Sequence, residues 1–447
     1  MQHVMWFRRD LRTHDQPALA RAVHEAGGDP ILPLFVVIPG PWERMAGPAR
    51  AYVAASLGAL REDLSALHVA WGDPVDVLRD LARVHGPLSV HATAAHTPAG
   101  MARDSLAARA LADLGGRLVL TGSNYAVDPG TIRKPDGHAY RVFTPFHRAW
   151  MDHGWPAPMA RPGPIRVLDD GPSALPGAPE LPGTTIPPAG EHRARARWRA
   201  FATGPLADYG SQRDRADLDA TSRMSLPLRW GELHPRTLLA GLDPARDRRF
   251  IAELCWREFY ADVLLHNPAS RSANLNPAFD RMEHDRGPAA EDAFERWARG
   301  RTGFPFVDAG MRQLRAEGWM HNRVRMVVAS FLVKDLHLPW WLGEREFMRW
   351  LIDGDPASNA HGWQWVAGSG TDAAPYFRVF NPVLQGLKFD PDGSYVRRHV
   401  PELAHLAGAA AHQPWKVLDG HLHGYPQPMV DHAAERDEAL RRYQSLR

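Results

Sequence analysis

The sequence of 447 residues contains a single cysteine, Cys255, and only four lysines, Lys134, Lys334, Lys388 and Lys416. One thiol excludes disulfides within the chain and thiolate metal clusters, and we expect no metal site. The sequence also lacks a run of eighteen apolar residues, and its start, MQHVMWFRRDLR, lacks the basic-then-apolar pattern of a signal segment. These absences predict a cytoplasmic protein that does not contact membranes.

Because lysine is so scarce, arginines supply nearly all of the 53 basic residues, and the formal net charge is only +2. A GC-rich genome, which also favours Ala, Pro and Gly, explains most of this bias. Arginine clusters such as RARARWR (193–199) and RDRR (246–249) would nevertheless suit phosphate contacts. The length and an apolar content of 44% predict two or more domains with real cores.

Short apolar runs alternate with helical patterns over residues 1–150. The strand-like runs are VMWF (4–7), ILPLFVV (31–37), HVAW (68–71), LSVHA (88–92) and RLVLT (117–121). This rhythm predicts a doubly wound parallel α/β domain of the Rossmann-like type. The turn after the first run, RRDLRTHDQPAL, has no glycine, which argues against the usual mode of NAD binding.

The composition changes twice after residue 150. Residues 151–192 are rich in proline and glycine, which predicts a long interdomain connector. Residues 193–447 show helical periodicity with few strand signals, so we expect a mostly α-helical second domain there.

The run DGDPASNAHGWQWVAGSGTDAAPYF (353–377) is the most unusual segment. It is too rich in Gly, Asp and Asn for an ordinary core element and too rich in tryptophan for a solvent loop. The run offers hydrogen-bond acceptors at Asp353 and Asp355, an amide at Asn359 and the indoles of Trp363 and Trp365. This combination suits the polar edge and the flat faces of a heteroaromatic cofactor. Trp340, Trp341 and Trp350 precede the run; they favour either core packing or a chain of oxidisable rings that passes an electron hole.

Two helical patterns place polar and aromatic residues together. Glu253, Trp256, Arg257 and Tyr260 fall at i, i+3, i+4 and i+7, which fits either the wall of a polar pocket or a domain-interface face. In GWMHNRVRM (318–326), the amide of Asn322, the cation of Arg325 and the thioether of Met326 suit a base edge, a phosphate and an apolar surface. The alternative is a helix start capped by Asn322, with its arginines in solvent. A hydroxyl-rich segment, TSRMS (221–225), suits a pyrophosphate or a helix cap.

In their order along the chain, these motifs resemble the photolyase/cryptochrome family, and within it the class I cyclobutane-pyrimidine-dimer DNA photolyases. The matching stretches are WFRRDLRTHD (6–15), YRVFTPF (140–146), TSRMS (221–225), ELCWREFY (253–260), TGFPFVDAGMRQL (302–314), GWMHNRVRMVVASFLVKDL (318–336), DGD (353–355), GTDAAPYFRVFNP (370–382) and YPQP (425–428). The resemblance implies an α/β domain, a connector and a helical domain that binds FAD. It implies light-driven repair, in which excited FADH⁻ passes an electron to a pyrimidine dimer flipped out of UV-damaged DNA.

The resemblance also implies a role for particular residues. Those implied in FAD binding are Tyr209, Thr221, Ser222, Arg223, Met224, Ser225, Arg257, Arg325, Asp353, Gly354, Asp355 and Asn359. Those implied in binding the dimer or its DNA are Glu253, Trp256, Asn322, Arg323, Met326, Trp365 and Gln385. Catalytic roles are implied for Glu253, which would stabilise the dimer radical anion, for Asn359 opposite flavin N5, and for Trp363 and Trp340 as electron carriers.

The chain departs from the family pattern in two places. The outer tryptophan of the family's electron chain would fall within DRMEHDRGP (280–288), where His284 or Gly287 stands instead, and Trp297 belongs to another family position. We therefore expect slow flavin photoreduction or a different terminal donor. Gly100 replaces the carboxylate of folate-antenna members, whereas PARAYVAASL (48–57) resembles deazaflavin-binding members, with Arg50 as a contact. This predicts 8-hydroxy-5-deazaflavin rather than methenyltetrahydrofolate as antenna, or no antenna.

The sequence leaves open the role of His361 and two alternative functions of the protein. His361, expected in a loop beside the flavin cradle, suits either a proton relay or a structural hydrogen bond. A blue-light sensor of the same fold is the leading alternative function, and repair of the (6-4) photoproduct is another, with His321 in the relevant stretch. We expect a monomer without an obligate protein partner.

Overall fold

The computed structural model describes residues 1–171, 173–181, 184–371 and 378–446. Part of the motif GTDAAPYFRVFNP, residues 372–377, lies outside them. Packing divides the chain into a first unit of Met1–Pro182, Ile186–Ala207 and Ser222–Pro268 and a second unit of Gly183–Thr185, Asp208–Thr221 and Ala269–Arg447. The domain boundaries after residues 150 and 192 rest on sequence pattern alone and stay a prediction.

The first unit contains a five-stranded sheet in the order β3-β2-β1-β4-β5 with every pairing parallel. Its strands are β1 (Gln2–Phe7), β2 (Leu32–Val37), β3 (His68–Trp71), β4 (Leu88–Ala92) and β5 (Arg117–Leu120). The predicted doubly wound α/β fold is thereby confirmed, because the sheet grows outward on both sides of β1.

Side chains of β1 alternate between two apolar clusters, as the two-residue period of a strand requires. Met5 and Phe7 lie in a cluster with Leu57, whereas Val4 and Trp6 lie in the other cluster. All four strand residues are at most 1% exposed. The sheet is therefore covered on both faces, which is why its strands read as nearly continuous apolar runs.

α-Helices are the commonest regular elements of the described chain. They are α1 (Pro17–Ala26), α2 (Pro39–Arg44), α3 (Gly47–Leu64), α4 (Pro74–His85), α5 (Pro98–Ala112), α6 (Phe143–His153), α7 (Glu191–Thr203), α8 (Tyr209–Gln212), α9 (Ser225–Trp230), α10 (Pro235–Leu239), α11 (Arg248–His266), α12 (Pro288–Ala298), α13 (Pro305–Glu317), α14 (Asn322–Ser330), α15 (Trp340–Trp350), α16 (Pro356–Ala367), α17 (Pro382–Phe389), α18 (Ser394–His399), α19 (Ala409–His412) and α20 (His432–Gln444).

The second unit is helical, and the described residues after β5 form no further strand, as the sequence predicts. Its core gathers aromatic and branched side chains around α13, α14 and α16, including Trp297, Phe306, Val328 and Trp363. Between α6 and α7, the described residues form no helix and make one isolated parallel β-bridge, from Val167 to Ile31, the residue before β2. The connector over residues 151–192 stays a prediction.

Candidate functional site

Helix α16 begins inside the run DGDPASNAHGWQWVAGSGTDAAPYF (353–377). The Asp355 carboxylate accepts hydrogen bonds from two backbone N–H groups of the first turn, at 3.1 and 2.9 Å, and Pro356 takes the first helical position. Such a cap and proline start a helix at low cost. The residues that follow form a largely buried helix through Ala367, so the expectation that the run is no ordinary core element is wrong there.

Asn359 lies one turn into α16 and is fixed by Glu344 of α15. Its amide nitrogen donates to the Glu344 backbone carbonyl at 2.9 Å and to the Glu344 carboxylate at 3.1 Å. Arg271 also donates to that carboxylate, at 2.7 Å. Burial raises the pKa of Glu344, and the Arg271 charge and the Asn359 hydrogen bond oppose the shift. Because the amide nitrogen is engaged, the Asn359 oxygen is the atom available to a ligand.

Arg325 and Asp353, both implied in FAD binding by the resemblance, form an ion pair. One guanidinium nitrogen of Arg325 donates to both Asp353 oxygens, at 2.8 and 3.1 Å. The Asp353 side chain is 1% exposed, whereas that of Arg325 is 24% exposed. A buried carboxylate of this kind is tolerable only with a partner. Gly354 follows in a turn whose N–H donates to the Leu351 carbonyl at 3.3 Å.

His361 is a helical residue of α16 rather than a loop residue, which corrects the sequence expectation. Its ring nitrogens lie 3.0 Å from the Ser270 hydroxyl and 2.8 Å from the Ala357 carbonyl. Burial lowers the pKa of His361. Both nitrogens are occupied by structural contacts, which favours the structural hydrogen bond over the proton relay.

Helix α14 presents the predicted amide, cation and thioether on its solvent side. Asn322 is exposed, and Arg323 and Met326 are half-buried. The cap of this helix is His321, whose ring accepts from the Arg323 N–H at 3.2 Å, rather than Asn322 as one reading of the sequence had it. The Arg323 guanidinium pairs with Asp214 at 2.9 Å.

Two further residues predicted to bind DNA lie on neighbouring helices of the second unit. Trp365 of α16 is half-buried and packs against the core cluster. Gln385 of α17 is half-buried, and its side-chain oxygen is buried with no hydrogen-bond partner among the described residues. Such an orphaned acceptor is unusual in a folded chain and marks a position where a ligand can bind.

The two tryptophans predicted to carry electrons are both buried. Trp363 is 3% exposed, and its indole nitrogen has no hydrogen-bond partner within the described chain. Trp340 is also 3% exposed and donates its indole N–H to the Asn274 side chain at 2.9 Å. Trp297 lies in the same core, with its ring centroid 6.1 Å from that of Trp363.

In the first unit, α11 presents the predicted stripe of Glu253, Trp256, Arg257 and Tyr260, and all four are half-buried. The Trp256 indole stacks on Phe143 with centroids 3.7 Å apart and planes 6° from parallel. Phe143 belongs to the motif YRVFTPF. The stack covers one face of the Trp256 indole and fixes the orientation of its opposite face.

Arg257 and Glu258 of α11 are anchored by residues far away in the sequence. Arg257 donates to the backbone carbonyls of Asn124 at 2.8 Å and Leu228 at 3.3 Å. Glu258 is fully buried and accepts from the Trp150 indole at 2.6 Å and from backbone N–H groups. Burial raises the pKa of Glu258 to about 7, although these hydrogen bonds lower it. No pattern in the sequence indicates this role of Glu258.

The hydroxyl-rich segment forms a tight turn ahead of α9. Arg223 has a positive φ of 53°, and the Ser222 hydroxyl accepts from the Met224 N–H at 3.2 Å. Thr221, which belongs to the second unit, is half-buried, whereas Ser225 is exposed. Tyr209 of the second unit is 8% exposed, and Arg213 lies over its ring at 5.5 Å.

Arg50, the predicted antenna contact, lies in the first turn of α3 and has a buried Nε with no partner among the described residues. No helix among the described residues is long and apolar enough to cross a bilayer.

One group of metal-ligand side chains comes together that the sequence did not indicate. His3 and His91 ring nitrogens lie 3.1 Å apart, and the Glu25 carboxylate is 3.7 Å from His91. Arg21 and Arg117 each donate to that carboxylate at 2.8 Å. Two cations therefore already neutralise Glu25, and we interpret the group as a hydrogen-bonded network.

A parallel α/β unit and a helical unit with a buried ion pair, an anchored amide and several indoles define a protein equipped for a heteroaromatic cofactor. Residues 3–163 match the family model for DNA photolyase, and residues 250–445 match that for the FAD binding domain of DNA photolyase. The deoxyribodipyrimidine photo-lyase of Vibrio cholerae is 37% identical, over 99% of both chains. The chain belongs to the DNA photolyase family.

Solved structures agree with this assignment. A class III photolyase from Agrobacterium tumefaciens superimposes with a TM-score of 0.88 at 37% identity, covering 100% of this chain and 97% of that one. An archaeal photolyase from Sulfolobus tokodaii with two FAD molecules has a TM-score of 0.86 at 27% identity, with complete coverage of both chains. The placement in class I stays a prediction.

Proposed function

We propose that this protein repairs cyclobutane pyrimidine dimers in DNA with light absorbed by a bound, reduced FAD. The predicted enzyme class is confirmed by relatives that are named deoxyribodipyrimidine photo-lyase and aligned over 99% or more of this chain. The match to the FAD binding domain of DNA photolyase supports FAD as the cofactor. Because these relatives are named as photo-lyases, we favour repair over the blue-light sensor.

The observation that supports the flavin assignment best is the arrangement of Asn359. Its amide nitrogen is fixed on Glu344, at 2.9 and 3.1 Å, so its oxygen is oriented toward any ligand as an acceptor. An isoalloxazine ring offers N–H donors when reduced, which suits that oxygen. The buried indole N–H of Trp363 has no partner in the described chain, and the Asp353 carboxylate is held by Arg325. These residues fit a polar heteroaromatic group.

FAD, when bound and reduced, supplies the electron that light transfers to the dimer. The chain binds and orients it. In this proposal Tyr209, Thr221 and the turn from Ser222 to Ser225 hold phosphate and ribityl groups. Arg325 pairs with the Asp353 carboxylate, and Asp355 and Gly354 define the start of α16.

The lesion is recognised by stacking and by one carboxyl group. Flipping a dimer out of the duplex costs on the order of a few kcal/mol, less at a damaged site. Stacking on an aromatic side chain contributes roughly 1–3 kcal/mol per base, so Trp256 and Trp365 are of the right magnitude to offset it. Glu253 hydrogen-bonds the dimer and stabilises its radical anion. The remaining contacts are assigned to Asn322, Arg323, Met326, Gln385 and the DNA strand around the dimer.

The test uses purified protein whose FAD is bound and chemically reduced, mixed with oligothymidine that carries cyclobutane dimers. Recovery of thymine absorbance under near-UV light, and none in the dark, is expected. Glu253→Gln is expected to lower the repair rate about tenfold or more, because a hydrogen bond to a charged group is worth roughly 1.5–3 kcal/mol. Glu295→Gln, on the exposed face of α12 where Glu295 pairs with Arg299, is the matched control.

Two outcomes would contradict the proposal. Absence of light-dependent recovery with FAD bound and reduced would reject dimer repair, and recovery only on (6-4) photoproduct would reassign the lesion. Equal repair rates for Glu253→Gln and the Glu295→Gln control would remove Glu253 from the mechanism while leaving the function intact.

A second chromophore that harvests light is consistent with Arg50. Its buried and unpartnered Nε suits an anionic group, and 8-hydroxy-5-deazaflavin is the candidate that the sequence favours. The archaeal relative with two FAD molecules was described with a novel light-harvesting cofactor, which makes a flavin-like ring the general class. Absorption spectra of the protein after expression with and without deazaflavin, compared between wild type and Arg50→Met, test this assignment.

A further inference from the structure

Two adjacent indoles and an imidazole form a continuous series at the start of α15. The ring centroids of Trp340 and Trp341 lie 5.9 Å apart with planes at 78°, and those of Trp341 and His284 lie 5.5 Å apart at 80°. Trp340 is buried, whereas Trp341 is only partly buried at the edge of the core cluster. The series therefore runs from the interior toward solvent.

Trp363 packs on the same turn of α15. A Cβ built on Gly343 would lie 2.6 Å from Cζ2 of the Trp363 indole, so this ring rests directly on the α15 backbone three residues after Trp340. Helices α15 and α16 pack against each other along this line. An electron hole on Trp363 would therefore lie next to the first turn of α15, which carries Trp340 and Trp341.

The other two aromatic neighbours of Trp363 considered for the hole, Trp297 and Phe347, are buried. Trp297 is 0% exposed and donates its indole N–H to the Val328 carbonyl at 3.1 Å. Phe347, 4.9 Å from Trp363 between centroids, is 2% exposed and much harder to oxidise than an indole. A cationic radical at Trp297 would be buried without water, which is costly. Among the described aromatic neighbours, the branch through Trp341 brings the charge to a ring that is only partly buried.

His284 occupies the stretch where the sequence lacks the expected outer tryptophan. Imidazole is harder to oxidise than indole, so His284 is a poor hole carrier. Its ring instead packs edge-on against Trp341. Burial lowers the pKa of His284, which keeps the ring neutral beside a developing cation.

We propose that Trp341 is the terminal electron donor for flavin photoreduction in this protein; the inference rests on the proposed function. In the step considered, one electron moves from Trp341 to the hole on Trp340 and restores a neutral Trp340 indole. The Trp341 radical cation releases its indole proton to solvent. A soluble thiol then returns one electron and one proton, and two oxidised thiols combine as a disulfide.

A competing entry point lies beside Trp340. A cavity lined by Asn274, Phe279, His284, Lys334, His337 and Trp340 does not include Trp341. A small reductant in this cavity would reduce Trp340 directly and make Trp341 dispensable. The experiment must therefore separate the two indoles.

The test illuminates protein loaded with oxidised FAD, without oxygen and with dithiothreitol, and follows the loss of oxidised-flavin absorbance. Trp341→Phe is expected to slow this loss about tenfold, a factor that corresponds to about 1.4 kcal/mol. The control is Trp71→Phe, because Trp71 is 49% exposed in the first unit and packs on Trp42, and it is expected to leave the rate unchanged. Trp340→Phe should slow the loss at least as much.

Two readouts report the radical itself. Transient absorption should show a long-lived, thiol-quenched tryptophan radical in wild type and its rapid decay in Trp341→Phe. After illumination in air without thiol, peptide mass spectrometry should find oxidation of Trp341 in wild type. Photoreduction and radical decay in Trp341→Phe equal to wild type would overturn the proposal and favour the cavity route.

Failure of this proposal is distinguishable from failure of the proposed function. Chemically reduced wild-type protein that does not repair dimers would reject the function, whatever Trp341→Phe does to photoreduction. Conversely, light-dependent repair by the chemically reduced protein together with unchanged photoreduction in Trp341→Phe would reject only the role of Trp341.

Discussion

Gly343 in α15 and Gly362 in α16 permit a paired test of how closely α15 packs on Trp363. A Cβ on Gly343 would lie 2.6 Å from both Leu332 Cδ2 and Trp363 Cζ2, whereas a Cβ on Gly362 would meet no atom within 4 Å. Leu332 is 0% and Trp363 3% exposed, so neither side chain can retreat into solvent. Alanine should therefore have opposite effects at the two positions.

The magnitudes follow from two competing terms. In a helix interior, replacing Gly by Ala gains about 0.5–1 kcal/mol. Overpacking a close-packed core costs about 1–3 kcal/mol. Gly362→Ala is thus expected to raise the free energy of unfolding by about 0.5–1 kcal/mol, because only the first term applies. Gly343→Ala should lower it by on the order of 1–2 kcal/mol, because the overpacking term dominates.

Urea unfolding followed by tryptophan fluorescence and far-UV circular dichroism measures both variants, with the transition of the second unit used for comparison. Gly343→Ala should also slow flavin photoreduction, since the Trp363 ring must shift. If Gly343→Ala were as stable as Gly362→Ala, the indole of Trp363 would not rest on the α15 backbone, and the argument that connects it to Trp340 would fail.

Three other predictions concern buried charges. Arg325→Met should cost about 3–5 kcal/mol by stranding Asp353, and adding Asp353→Asn should recover most of that loss in urea unfolding; an additive double variant would contradict the pairing. For Glu258, burial raises the folded-state pKa from 4.5 to about 7, so the protonated form is favoured in the fold and stability falls as pH rises through that window. Glu258→Gln should reduce the loss of stability between pH 5 and pH 8 by on the order of 2 kcal/mol, and an unchanged pH profile would contradict the assignment. Tyr425→Phe removes a 2.5 Å hydrogen bond to buried Asp308 and should lower the free energy of unfolding in urea by about 1.5–3 kcal/mol. A decrease below about 0.5 kcal/mol would contradict this prediction.

The α/β unit could be predicted because its signals are local. Each buried parallel strand is a short apolar run between polar or glycine-rich turns, and all five runs became strands with bounds shifted by at most two residues. The start of α16 was missed although Asp355 and Pro356 are ordinary helix-start signals. The glycine and asparagine content of the following residues outweighed them, yet an interior glycine only weakens a helix that packs well.

Within the site, the contact that could be predicted is the one in which a buried charge requires a partner of opposite charge. A carboxylate at Asp353 next to apolar residues requires a cation, and Arg325 was available for it. Glu344 and Glu258 gave no comparable signal. Glu344 is held by Arg271, which is 73 residues away in the sequence, and Glu258 accepts from an N–H 132 residues away. Such roles depend on contacts that exist only after folding, and no local pattern encodes them.

Several predicted functional residues share one property that the fold alone does not explain. Trp363, Gln385 and Arg50 each have a buried polar atom without a partner in the described chain. An unsatisfied buried group costs roughly 1–3 kcal/mol, so a folded chain usually pairs it. Asp353, in contrast, is fully paired by Arg325. Paired groups of the site therefore stabilise the fold, whereas the buried atoms without a partner in the described chain can gain hydrogen bonds from a ligand.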